Sequence, residues 1–328
     1  MEINGYILKS ELNNANSGFS KWGFAFKNGR EYFIKELLNP VFPMDRESMS
    51  MDMFVKRRQF CVDYEERSKA MYHAINCASR GDLVRIKEFF RCGSKYYIVM
   101  DKVAGDSIPS EEVCRMSDVN KLLLMKTAAY ALMSMHKAGL VHFDIKPSNI
   151  LIKRTRYGKP TAKIIDFDAG FFHGEDISDR ELGGDLTYLA PETFLALCGE
   201  GGKPDKKCDI FSLGLVFHEY WCGFLPAYDE NEYDCPCTAS LSEGTLGVYK
   251  NSMPDKIGDL IESMLNSDPA ERPDAVEIVN VINEILGAPE VAEAPVIPVE
   301  VPVAPVPVPV SAVPTRRAED WFTPAGDL

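Results

Sequence analysis

Val141-His142-Phe143-Asp144-Ile145-Lys146-Pro147-Ser148-Asn149-Ile150-Leu151-Ile152 is the stretch whose reading decides the fold. Two apolar runs bracket a polar loop that carries one carboxylate, one ammonium and one carboxamide at fixed offsets. Further along, Ile164-Ile165-Asp166-Phe167-Asp168 is a second apolar run that ends in acid. Two short strand-like pieces therefore deliver acidic groups to the same end. That suits a site holding a divalent cation and an oxygen nucleophile together.

Composition bounds the rest. With 328 residues, 45% of them hydrophobic, the chain is long enough for one large or two modest domains with a real core. Its 36 basic and 49 acidic residues give a net charge of −13. That balance argues against a nucleic-acid partner, because affinity there comes largely from Lys and Arg on phosphates. No basic-then-apolar leader opens the sequence, and every long apolar run is broken by charge or proline. Neither a signal peptide nor a membrane span is expected. Nine cysteines at irregular spacing read as reduced thiols, which points to the cytoplasm.

His-x-Asp-x-Lys-x-x-Asn followed by Asp-Phe-x resembles the catalytic and metal loops of the eukaryotic-like Ser/Thr protein kinases. The resemblance implies an α+β, two-lobed fold: an N-lobe and hinge over 1–103, a helical C-lobe over 104–287. It implies ATP as phosphate donor, Mg2+ (or Mn2+) as cofactor, and Ser or Thr hydroxyls of proteins as acceptors, the enzyme itself included. On this likeness Asp144 takes the hydroxyl proton, Lys146 stands near the transferred phosphate, and Asn149 and Asp166 hold metal. Asp168 stands where the family has glycine; it reaches the metal or points to solvent.

The N-terminal residues read as strands. Trp22 to Phe26 alternates, Asn28-Gly29 is a strong hairpin turn, and Glu31-Tyr32-Phe33-Ile34-Lys35 follows. Lys35 interrupts an apolar strand, which is costly unless its ammonium is partnered. It matches the family lysine that binds the α- and β-phosphates. Where the family carries Gly-x-Gly-x-x-Gly, residues 15–20 offer Gly18 alone, with Ser17 beside it, as the phosphate-covering loop. Residues 54–79 lack Pro and Gly and read as a helix. The family pairs the strand lysine with a glutamate there; Glu66 is preferred for its face, with Glu65 the alternative. Met100, Asp101 and Val103 match the strand end and hinge that receive adenine, and Leu151 joins them as a nucleotide contact. Leu122 to Met135 recur at helical spacing as core.

Gly184-Asp185-Leu186-Thr187-Tyr188-Leu189-Ala190-Pro191-Glu192 resembles the end of a protein-kinase activation segment. Arg272 would pair with Glu192 to tie that segment down. Asp209 is read as the N-cap of a helix apolar nearly all round, over 210–225. Phe143 replaces the arginine that receives an activation-loop phosphate, so activity without prior phosphorylation is expected. Asp185 replaces a threonine near Asp144, where like charges disfavour double ionisation. Residues 226–250 read as a surface insert.

From Pro289 to Pro314 eight prolines alternate with Val and Ala, which forbids helix and sheet. This linker over 288–314 is read as a polyproline spacer, roughly 80 Å if extended at about 3.1 Å per residue. Trp321, Phe322 and Thr323 in the terminal 315–328 read as a docking peptide for a partner protein. Two rivals accompany the kinase reading. One is a pseudokinase scaffold, suggested by the glycine-poor loop, Asp168 and Asp185. The other is a small-molecule kinase of the aminoglycoside or choline type, suggested by Asp-x-Asp and opposed by Glu192 with Arg272.

Overall fold

Alternation in the first hundred residues builds one six-stranded antiparallel sheet in the order β1-β2-β3-β4-β6-β5. Its strands are β1 (Glu2–Ile3), β2 (Tyr6–Leu8), β3 (Ser20–Lys27), β4 (Arg30–Leu37), β5 (Ile86–Cys92) and β6 (Lys95–Asp101). A computed structural model describes residues 1–14, 20–46, 49–103, 107–175, 185–244 and 246–291. The expectations for Ser17, Gly18 and the tail with Trp321, Phe322 and Thr323 lie outside the described residues. Asn28 and Gly29 both take positive φ, at 52° and 73°, as the Asn-Gly turn between β3 and β4 requires. That hairpin sets Lys35 opposite Trp22 on one side, and opposite Ile98 of β6 on the other.

Helix α1 (Met51–Ala78) packs on this sheet; Ser50 caps it by accepting the Met53 N–H at 3.2 Å. Below lie α2 (Asp118–Lys137), β7 (Leu140–Val141), the β8 (Ile150–Arg154) and β9 (Pro160–Ile164) hairpin, and β10 (Phe171–Phe172), which pairs with β7. Helices α3 (Pro191–Leu197), α4 (Lys206–Cys222), α5 (Pro236–Glu243), α6 (Asp255–Met264) and α7 (Ala275–Leu286) complete a helical lower lobe. The architecture is thus the α+β, two-lobed one: a β-rich upper lobe with one main helix, over a helical lower lobe. Among the described residues no helix is long and apolar enough to cross a membrane.

Helix α4 is buried from Cys208 to His218, as its apolar circumference predicts. A Cβ on Gly214 would meet Met264 and Leu265 at 3.0 Å, so glycine allows α6 to approach closely. The structure departs from two expectations. Asp209 does not cap α4: the helix starts earlier and Asp205 is the N-cap, accepting the Lys207 N–H at 2.8 Å. The segment 226–250 is not wholly a surface insert. It contains α5, and Cys235 and Cys237 are buried against Leu189 and Phe194. Tertiary packing overrides the segment's polar composition.

Candidate active site

The loop from His142 to Asn149 is fixed from beneath by one buried carboxylate. Asp209 Oδ2 accepts the His142 N–H at 2.8 Å and the His136 Nε2–H at 2.9 Å; Oδ1 accepts the Phe143 N–H at 2.8 Å. These bonds hold Phe143 at φ 69°, a left-handed conformation that costs a β-carbon residue about 1–3 kcal/mol. The ring of Phe143 is buried edge-to-face against Phe171, at 5.2 Å. His142 donates from Nε2 to the Ile165 carbonyl at 3.0 Å, and Ile165 N–H donates to the Asn149 carbonyl at 3.0 Å. The two acid-bearing loops are therefore stitched together at the backbone.

Above that base, Asp144 is clasped from two sides. Asn149 Nδ2 donates to the Asp144 carboxylate and to its carbonyl, both at 2.8 Å, and Lys146 Nζ stands 3.0 Å from the same carboxylate oxygen. Charge-assisted bonds of this kind fix a carboxylate's orientation while leaving its second oxygen for another donor. Asp144, Lys146 and Asn149 thus form one constellation, with Asn149 buried and the other two half-buried.

Lys35 arrives from the upper lobe. Its Nζ lies 2.7 Å from Asp166 Oδ1 and 3.0 Å from Asp168 Oδ2, with only 8% of its side chain exposed. Burial alone would depress the ammonium; the two carboxylates outweigh it and hold the lysine above its usual value. Burial likewise pushes Asp166 up, but Lys35 more than offsets this and leaves it below the ordinary carboxylate range. Asp168 ends above that range, because burial and the neighbouring Asp166 outweigh Lys35. Asp166 itself sits at φ 64°, a second strained residue at the site.

The expected pairing of Lys35 with Glu66 is not what the structure has. Glu66 is exposed, and Glu65 accepts from Tyr96 at 3.2 Å and pairs with Arg91 at 3.2 Å and Lys69 at 3.4 Å. Neither reaches Lys35. The helix is phased differently from the sequence reading: Ser68, Met71, Tyr72 and Ile75 are buried, while Val62, one turn before Glu66 on the same face, is 40% exposed. Helix α1 instead holds the segment after Asp168 through Arg67, which donates to the Gly170 carbonyl at 3.1 Å and pairs with Glu175. Sequence reasoning misses this latch because its partners lie about a hundred residues away and form no local pattern.

The expected hinge and segment residues have these places in the fold. Met100 is buried opposite Phe33 and Ile86; Asp101 ends β6, with its N–H on the Arg85 carbonyl at 3.0 Å. Val103 and Leu151 are half-buried, Val103 against the core. Asp185 and Asp144 line one small cleft with Tyr188 and Ser212, and the Asp185 carboxylate accepts the Thr187 N–H at 3.1 Å. Glu192 and Arg272 make the ion pair that the resemblance implied, two parallel bonds of 2.8 Å on a fully buried guanidinium. Arg272 also donates to the carbonyls of Asn266, Lys207 and Ser267, so none of the charge is stranded. Sequence reasoning also misses Asp209's role as the staple under the catalytic loop. The signal is there: a carboxylate in an otherwise apolar helix must find several donors.

The donors that could hold a cation are hard oxygens, from Asp166, Asp168 and the amide of Asn149. Among the described residues no group of three or more His, Cys, Asp and Glu forms a metal cage. Mg2+ needs none, since it takes one or two carboxylates and completes its octahedron with water and phosphate oxygens. The residues therefore fit that ion.

A family model described as the protein kinase domain matches residues 54–281, which runs from within α1, through β5 and β6, to within α7. Among curated proteins, calcium-dependent protein kinase 4 of Plasmodium berghei is 30% identical over 201 residues, covering 58% of this chain and 36% of that protein. The MAP kinase-interacting serine/threonine-protein kinase 2 of Xenopus laevis is 29% identical over 231 residues, 62% and 49% of the two chains. Calcium-dependent protein kinase 2 of rice is 25% identical over 223 residues, 66% and 41%. The chain thus spans between about a third and a half of the length of these relatives. With the model covering most of the sequence, and its span containing the stapled loop, Asp144, Asn149, Asp166 and the Glu192–Arg272 pair, this chain belongs to the protein kinase family.

Proposed function

We propose that this protein transfers the γ-phosphate of ATP to Ser or Thr hydroxyls of proteins, itself included, with Mg2+ as cofactor, in cytoplasmic signalling. The observation that carries the reading is the Asp144 carboxylate, oriented by Asn149 and Lys146, on a loop stitched to the one that brings Asp166 to Lys35. Phosphoryl transfer asks mainly for positioning and charge neutralisation, and this constellation offers both. Asp144 positions the acceptor hydroxyl and takes its proton, and Lys146 stabilises charge on the moving phosphoryl group. Lys35 holds the phosphates that remain. Asp166 and the Asn149 amide oxygen would hold Mg2+, which supplies neutralisation of the phosphate oxygens when bound. Met100, Asp101, Val103 and Leu151 would line the adenine end.

One observation favours a second reading, a nucleotide-binding scaffold with little turnover: Lys35 is already engaged by two carboxylates. The buried Glu192–Arg272 pair speaks for a protein acceptor over a small molecule, because it anchors a segment that protein kinases use against their substrates. Transfer of labelled phosphate from ATP to a generic acceptor protein, beside thermal-shift binding of Mg-ATP, separates enzyme from scaffold. Label on the acceptor supports the enzyme; a thermal shift without label supports the scaffold.

A further inference from the structure

Lys35 is a buried cation, and a buried cation needs a fixed counter-charge. The family pattern draws that charge from the helix after the strand. Here the buried face of α1 carries Cys61, Ser68, Met71, Tyr72, Ala74 and Ile75, and no carboxylate. The helix's acids are engaged or exposed elsewhere: Asp52 with Lys56, Asp63 with Gln59, Glu65 with Arg91, and Glu66 toward solvent.

The charge comes from the metal loop instead. Asp168 fills the position where the family pattern has glycine, and its Oδ2 meets Lys35 Nζ at 3.0 Å, with 29% of its side chain exposed. Asp166 is the nearer partner, but it is also the residue a cation would claim. Once Asp166 turns to a cation, Asp168 is the acid still beside the ammonium. Helix α1 retains a tie to the same loop through Arg67, on the Gly170 carbonyl and Glu175, so it contributes no charge to Lys35.

Resting on the phosphoryl-transfer reading above, we propose that Asp168 is the positioning residue for Lys35, in place of a helix carboxylate, and is not itself a metal ligand. Lys35 is then aimed by the metal loop rather than by α1. A shift of the helix would disturb the site through the Arg67 latch and not by stripping Lys35 of its partner.

A double-mutant cycle on thermal unfolding tests the pairing without metal, nucleotide or turnover. Lys35→Met and Asp168→Asn should each lower the midpoint by a few degrees. The double variant should be no worse than Lys35→Met alone, because without the ammonium the Asp166 and Asp168 carboxylates repel. Additive shifts would overturn the pairing. A second measurement is the half-saturating Mg2+ concentration for transfer. Asp168→Asn should leave it within about twofold of the parent while kcat/KM for ATP falls about tenfold or more, and Asp168→Glu should recover part of that loss. A tenfold rise in the Mg2+ requirement would make Asp168 a metal ligand and end the proposal. A parent protein without transfer activity, but with a coupled cycle, would sink the kinase reading and support the pairing.

Discussion

The two sides of the site are built differently. On the lower side, the loop around Asp144 is over-determined: Asp209 staples it below, His142 ties it to the Ile165 strand end, and Asn149 and Lys146 clasp its carboxylate. On the upper side, Lys35 hangs on two acids of one loop, and the long helix beside it presents Met71 and Tyr72 inward. Strained residues persist only where surroundings hold them, and Phe143 at φ 69° sits on the stapled side. The contrast teaches that a site can preserve its charges while changing which element supplies them. On the proposed reading the Asp144 side tolerates no such exchange, because phosphoryl transfer there depends on the carboxylate's orientation. Lys35 tolerates it, because a buried ammonium needs a neutralising carboxylate more than a particular one.

The largest effect expected on the lower side is on Asp144. Asp144→Asn should lower the initial rate of phosphate transfer by roughly 10²–10⁴ through loss of base and positioning. A rate within a few-fold of the parent would break the comparison at its firmer half.

Next is the staple. Asp209→Ala strips three buried donors of their acceptor and should cost on the order of 3–5 kcal/mol in urea unfolding. A cost below about 1 kcal/mol would mean that the loop holds its strained shape unaided.

Much of the lower side is legible in the sequence because its logic is local. Asp144, Lys146 and Asn149 lie within six residues, and the flanking apolar runs confine them to one short loop between strands. The Asn28-Gly29 turn is legible for the same reason: its positive φ values demand those residues. The Glu192–Arg272 pair, 80 residues apart, comes only through the family resemblance. Other features are not legible. The 28-residue α1 spreads polar and apolar residues round its circumference, so no periodicity fixes its inner face, which carries Met71 and Tyr72 rather than Glu66. Asp209 resembles a cap because helix starts favour Asp. Its true partners, His136, His142 and Phe143, lie 66 to 73 residues back. The buried state of Cys235 and Cys237 depends on Leu189 and Phe194 covering them, which no window of sequence contains.

On the upper side the expected effect is small by design. Glu66→Gln should change stability by under about 0.5 kcal/mol and leave transfer kinetics at parental values, since the side chain is exposed and Lys35 does not use it. A tenfold fall in kcat/KM for ATP would restore the helix glutamate to the site and erase the contrast.

The smallest effect concerns pH and the same helix that carries the staple. Burial holds the His218 imidazole below its ordinary 6.5, against a raising contribution from the Phe224 carbonyl that it bonds. Its Nε2 accepts the Tyr249 N–H at 3.2 Å, a bond that protonation would remove. A folded value below the unfolded one means that this contribution is intact above 6.5 and is lost as pH falls from there through the folded value. Urea midpoints of the parent should therefore fall more steeply than those of His218→Gln as pH drops below 6.5. Parallel curves would remove His218 from the account of how α4 is held.

On the proposed reading the lower constellation performs phosphate transfer to Ser or Thr hydroxyls. Mass spectrometry of an acceptor protein incubated with the purified chain, ATP and Mg2+ tests it most directly, with Asp144→Asn run in parallel. Phosphoserine or phosphothreonine should appear on the acceptor with the parent and be almost entirely lost with the variant. Bound nucleotide, but no phosphate on any acceptor hydroxyl above the level seen with the variant, would contradict it.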